Sequence, residues 1–217
     1  YFTTTHGVIE GSVQTNTTGQ GSVKLFSANP LPPDGLAIVT ATTADRLQQP
    51  VTASIPIVFS GPPVIRICMV DDNGVCLPEP PAARLNQSYR LTVTDHLGNP
   101  LAAGTKIAVR AEGTKVKAVG NTAVELGDTG FRTIGAGTTY DDILRGPGIT
   151  EFFFRVVPDL NLDETGEPVV EALVIQVSGP NGRLELAYGP SGNARILAGE
   201  AVLQQEGPYL KAFIPLE

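Results

Sequence analysis

Residues 89–109 read YRLTVTDHLGNPLAAGTKIAV, and this stretch decides the fold class. Tyr89, Leu91 and Val93 alternate with Arg90, Thr92 and Thr94. Side chains along a strand point to opposite faces in turn, so this period of two gives one apolar and one polar face. Asp95 then stands where a side-chain oxygen caps a turn. Gly98 and Asn99 tolerate positive φ, and Pro100, without an amide hydrogen, stops ladder pairing. A second strand begins near Thr105.

Strand-like runs of the same kind occupy residues 21–27, 36–43, 53–59, 64–69, 150–157, 169–177, 183–188 and 195–203. Most are rich in β-branched or aromatic residues and end in Gly, Pro, Asn or Asp. With 24 Gly and 18 Pro in 217 residues, the chain is cut into short segments, which suits strands and tight turns rather than long helices. No window sustains a capped helical period, and only residues 139–144 (TYDDIL) suggest a helical turn. The expectation is an all-β protein of tandem β-sandwich domains. Ser60-Gly61-Pro62-Pro63 marks the boundary, because consecutive prolines make a stiff, extended connector. This predicts a partial domain at residues 1–60, a linker at 61–63, a sandwich at 64–205 and a C-terminal extension at 206–217. The first segment is small to bury a core alone.

Hydrophobic residues make up 41% and charged ones 17%, so a core can form and wholesale disorder is excluded. The net charge of −7 gives no general basic field, which argues against nucleic acid as a partner. No stretch approaches the roughly 20 apolar residues of a membrane helix. The N-terminus lacks a signal-peptide pattern, and a mature or excised fragment of a secreted protein reads the same way.

The only two cysteines, Cys68 and Cys76, flank Asp71-Asp72-Asn73-Gly74. Strands at 64–69 and 75–77 about that turn predict a hairpin disulfide, the alternative being two small buried thiols. A loop from Val70 to Gly74, or a bulge, sets the cysteines opposite each other; a tighter Asn-Gly turn leaves them diagonal and harder to bridge.

Two stretches resemble the bacterial immunoglobulin-like repeats of invasin- and intimin-type surface proteins. Residues 89–109 are similar to the family's strand, D-x-x-G-N-P turn and following strand. Residues 2–44 resemble its later half through Thr3-Thr4-Thr5-His6-Gly7, residues 15–23, and Asp34-Gly35 leading to Val39-Thr40-Ala41-Thr42. The likeness fades between Glu112 and Gly148. The resemblance implies extracellular stalk or adhesion modules in tandem, and it sets Tyr1 in mid-domain with the opening strands outside this chain. It therefore implies a first domain completed either by upstream chain or by a strand from a neighbouring subunit. Residues 209–216 alternate roughly between Pro208 and Pro215 and form the candidate donor for head-to-tail strand addition.

Catalysis finds little support. His6 and His96 both stand beside turn glycines, and neither G-x-S-x-G nor H-E-x-x-H occurs. Stretches near Gly19, Gly135 and Gly146 lack the Lys and helix of a phosphate loop. Asp159, Asn161 and Asp163, with Glu167, space oxygen ligands in part as calcium loops do, although Val170 stands where an EF-hand places its bidentate Glu. A solvated acidic loop has the same composition. The pairs Asp71-Asp72 and Asp141-Asp142 are weaker calcium candidates. Asn16 and Asn86 head glycosylation sequons, read as chance matches. Phe152-Phe153-Phe154 must put one ring on the face opposite the other two, which suggests an interface. The functional expectation is a non-enzymatic extracellular structural or adhesion protein. Its rival is a carbohydrate- or calcium-dependent accessory module, against which the absence of Trp and the count of 5 Tyr weigh.

Overall fold

The computed structural model describes residues 1–127, 150–160 and 166–215. These divide between Phe59 and Ser60 into two compact units. Every element among the described residues is a β-strand, and every paired strand is antiparallel. The protein is all-β. The suggested helical turn at residues 139–144 lies outside the described residues.

The first unit holds β1 (Phe2–Thr4), β2 (Val8–Ile9), β3 (Leu25–Phe26), β4 (Leu36–Ala44) and β5 (Pro50–Val58). They form a three-stranded sheet, β1-β4-β5, and a two-stranded ribbon, β2-β3. The strand read over residues 21–27 shrinks to Leu25–Phe26, since only these pair with Val8–Ile9. Among the described residues of this unit, Ala37 and Val39 on β4 are buried, facing Ile57 and Ile55 across the pair. Phe59 donates its amide to Gly35 O, so odd-numbered residues of β5 bond to β4 and even-numbered ones turn their amides away. Pro50 and Pro56 fall in that outward row, as prolines in strands must.

The second unit is a sandwich. One sheet runs β15-β16-β6-β7-β11-β9 and the other β10-β8-β12-β13-β14. The strands are β6 (Val64–Val70), β7 (Ser88–Thr94), β8 (Lys106–Thr114), β9 (Val116–Gly120), β10 (Ala123–Glu125), β11 (Glu151–Pro158), β12 (Val169–Gly179), β13 (Gly182–Tyr188), β14 (Ala194–Ala198), β15 (Val202–Glu206) and β16 (Tyr209–Phe213). Alternate residues from both sheets meet in one core, among them Ile65, Ile67, Tyr89, Leu91, Leu173 and Ile175. At its centre the Tyr89 ring stacks on Phe154 at 5.1 Å and meets Tyr188 edge-on at 6.3 Å.

Four expectations are corrected here. The region after Glu112, where the sequence pattern gives no strand, contains β9 and β10. The chain leaves one sheet for the other through Gly113, at φ 138°, and Lys115, at φ 50°. Residues 195–203 are two strands in different sheets, because Gly199 turns the chain at φ 95°. The connector read at residues 61–63 falls within the second unit, which begins at Ser60. Gly61 donates its amide to Asp95 Oδ2 at 3.0 Å, while neighbouring Ser60 Oγ donates to Pro100 O at 2.6 Å and Asn181 Nδ2 to Ser60 O at 2.6 Å. Finally, within the 206–217 extension read as a donor, residues 209–213 are an interior strand of their own sheet. β16 pairs with β15 on one side and β6 on the other, and buries Leu210 and Ala212 in the core. Its alternation is that of a resident strand, so it is not available for donation.

One turn recurs in both units. Asn16, Asp45, Asp71 and Asp95 each accept, on one side-chain oxygen, the amides of the residues two and four positions on, at 2.8–3.0 Å. The fourth residue in each is left-handed: Gly19, Gln48, Gly74 and Gly98, with φ from 62° to 87°. Such five-residue hairpins need a positive φ there. Asn99, expected to share that freedom, does not adopt it; its side chain instead bonds Asp95 Oδ2 at 3.3 Å.

The two core tyrosines differ in one respect. Tyr89 OH donates to Ala82 O at 2.7 Å and accepts the Arg84 amide at 2.9 Å, and burial pushes its pKa up to about 12. Tyr188 OH is fully buried with no hydrogen-bond partner among the described residues, and burial, with Tyr89 nearby, raises its pKa well above the usual tyrosine value. The same substitution therefore has opposite signs. Tyr89→Phe is expected to cost about 1–2 kcal/mol and Tyr188→Phe to stabilise by about 1 kcal/mol. Denaturant melts of the two variants check this, and shifts of the same sign would refute it.

Candidate functional site

Cys68 on β6 is bonded to Cys76, with Cα atoms 5.7 Å apart. Cys76 bridges to Val70, not to Cys68, so the cysteines are diagonal neighbours. The sequence marks that placement as the harder one to bridge. It succeeds because Asp71 Oδ1 caps both Asn73 and Val75, holding the arms within disulfide reach. The bridge lies on the outer face of the six-stranded sheet, where Arg90 Nη2 donates to Cys76 Sγ at 3.1 Å and to Tyr209 OH at 2.7 Å.

The acidic loop is only partly in view. Asp159 Oδ1 accepts from Lys117 Nζ at 3.0 Å, and Glu167 is exposed. Asn161 and Asp163 lie outside the described residues, as do Asp141, Asp142, Gly135 and Gly146. Among the described residues no three His, Cys, Asp or Glu side chains converge on a common point. Asp71 is spent on its turn. His6 Nδ1 lies 3.2 Å from its neighbour Thr5 Oγ1, and the His96 ring packs against Gly61, leaving no room there for a Cβ. Asn16 is the turn cap already described, and Asn86 is exposed at φ 60°. The triplet behaves as its period demands: Phe152 and Phe154 are 3% exposed and Phe153 is 44% exposed.

Reasoning from sequence missed the charged arrangements, because each joins residues far apart in the chain. On the five-stranded sheet, buried Glu185 accepts from Arg183 at 2.8 Å and from Arg110 at 3.3 Å. The Arg183 hydrogen bond holds its carboxyl below the usual glutamate range; burial opposes this and Arg110 adds to it. On the six-stranded sheet, Glu206 is lowered likewise by the Lys211 hydrogen bond, at 2.8 Å, with Arg66 at 3.5 Å contributing. Two open grooves indent the first unit. One of about 1030 Å³ runs between Tyr1, Gln14, Thr43 and Gln48; the other, of about 280 Å³, lies between Phe2, Val13, Ala41 and Val51.

No protein-family model, curated protein or solved structure matches the chain.

Two predictions follow from this chemistry. Removing the disulfide by a Cys68→Ala, Cys76→Ala double substitution should cost about 2–3 kcal/mol, the closure entropy of so short a loop. Thiol titration of the unfolded, unreduced protein should find no reactive group, and two would disprove the bond. Glu185→Gln should be destabilising at neutral pH. A lowered folded-state pKa stabilises above the unfolded value and is lost as pH falls through the folded one. The gap between wild type and variant should hold down to about pH 4.3 and close below it. A gap independent of pH in thermal melts would refute the assignment.

Proposed function

We propose that the chain is an extracellular structural or adhesion protein whose immunoglobulin-like modules form part of a surface stalk, adhesin or filament. The observation that carries this reading is the strand order of the second unit. Strands β6-β7-β11-β9 facing β8-β12-β13 follow the four-and-three order of immunoglobulin constant-type sandwiches, widened by β10, β14 and the β15-β16 pair. The Cys68–Cys76 bond suits an oxidising compartment. The described residues form no helix long and apolar enough to cross a membrane. Fold likeness alone does not fix a role, so the test addresses location. Antibodies against the chain should label intact cells that make the native protein; labelling only after lysis would sink it.

A further inference from the structure

We infer that the second unit is a tension-release element: a pull along the chain peels β16 from β6, pair by pair, and lets the sandwich open. The chain enters this unit at β6, its first strand, and leaves it through β16, its last. These two strands are neighbours in the six-stranded sheet and run antiparallel. Val64, the first residue of β6, stands directly opposite Phe213, the last of β16. Entry and exit therefore lie side by side at one end of the sandwich. The turn between β12 and β13 marks the same end, since a Cβ on Gly182 would lie 3.8 Å from both Pro63 and Ile214.

That placement decides how a load falls. The ladder bonds of an antiparallel pair run across the strands. A pull from opposite poles slides the strands lengthwise and loads every bond at once. A pull from Val64 and Phe213 runs along the bonds themselves, so the outermost pair bears it alone and the next follows. The seam is short: four residue pairs join β16 to β6, against seven between β6 and β7. Its two sides are also held unequally. Just ahead of β6, Ser60 and Gly61 are clasped by their bonds to Pro100, Asn181 and Asp95. Past Phe213 no such clasp stands among the described residues, so β16 is the strand that leaves. Arg90, bonded to Tyr209 OH at 2.7 Å, holds the far end of β16 and yields last.

The surface reading supplies a source of tension, and the inference extends it. The mechanics are tested on purified chain, so either can fail without the other. The disulfide provides a ruler. Cys68 and Cys76, the only cysteines, lie in the second unit, eight residues apart in sequence and 5.7 Å apart between Cα atoms. While bonded, they withhold the chain between them from any extension. Eight extended residues span about 26–29 Å, so reduction should lengthen the opening of this unit by about 20–23 Å.

The experiment stretches single molecules of the full chain between tethers at its two termini, with and without a thiol reductant. The step that lengthens on reduction is the opening of the second unit. A click-reactive residue at exposed Gly207, in the turn beyond the other end of β16, lets the same variant also be loaded lengthwise. Opening should need less tension through the termini than between the N-terminus and Gly207. At fixed tension through the termini, Leu210→Ala, which thins the seat of β16 in the core, should open about tenfold faster. Leu186→Ala on β13 should open at the wild-type rate, because its contacts still stand when β16 leaves. Equal or greater tension through the termini would overturn the inference, and so would equal acceleration by the two leucine variants.

Discussion

The architecture hangs on a side-chain oxygen that accepts two backbone amides. At Asn16, Asp45, Asp71 and Asp95 this contact closes a five-residue turn and fixes which residue pairs with which beyond it. Register is all-or-none in a sheet, because a slip of one residue sends every side chain to the wrong face. With the Asp95 turn in place, β7 ends at the correct residue and Tyr89, Leu91 and Val93 all point into the core. The Asp71 turn does the same for β6 and delivers Cys76 to Cys68. A local hydrogen bond thus governs contacts between residues far apart in the chain.

The same device serves two units of different depth. In the second, two sheets cover each other and a single core runs between them. In the first, a three-stranded sheet buries Ala37 and Val39, and isoleucines on β5 stay partly exposed. Hydrophobic stabilisation scales with apolar area removed from water. Among the described residues the apolar burial is accordingly deepest in the sandwich.

Much of the fold was legible because its signals are local. The alternation of residues 89–94, the Asp95 turn, the exposed ring of the phenylalanine triplet and the Cys68–Cys76 bond all follow from neighbours in sequence. What escaped depends on partners brought from a distance. β9 and β10 are short and bounded by glycine, and only pairing with β11 and β8 makes them strands. The tail looked spare because its place between β15 and β6 is set by the sheet, not by its own pattern. Ion pairs such as Arg66 with Glu206 and Lys117 with Asp159 were invisible for the same reason, since no window contains both members of either. Nor could sequence show that Gln48 takes the left-handed position that glycine fills in the sister turns.

The outward amides of β5 belong to Thr52, Ser54 and Val58, with Pro50 and Pro56 interrupting the row. Two gaps in so short a series leave Thr52 and Ser54 as its one pair of neighbouring donors, too short a run for a foreign strand to follow. Wherever copies of a chain meet at high concentration, an open ladder would stitch neighbours together. An edge interrupted by proline lets copies jostle and separate, so the first unit keeps its identity even where crowding is greatest.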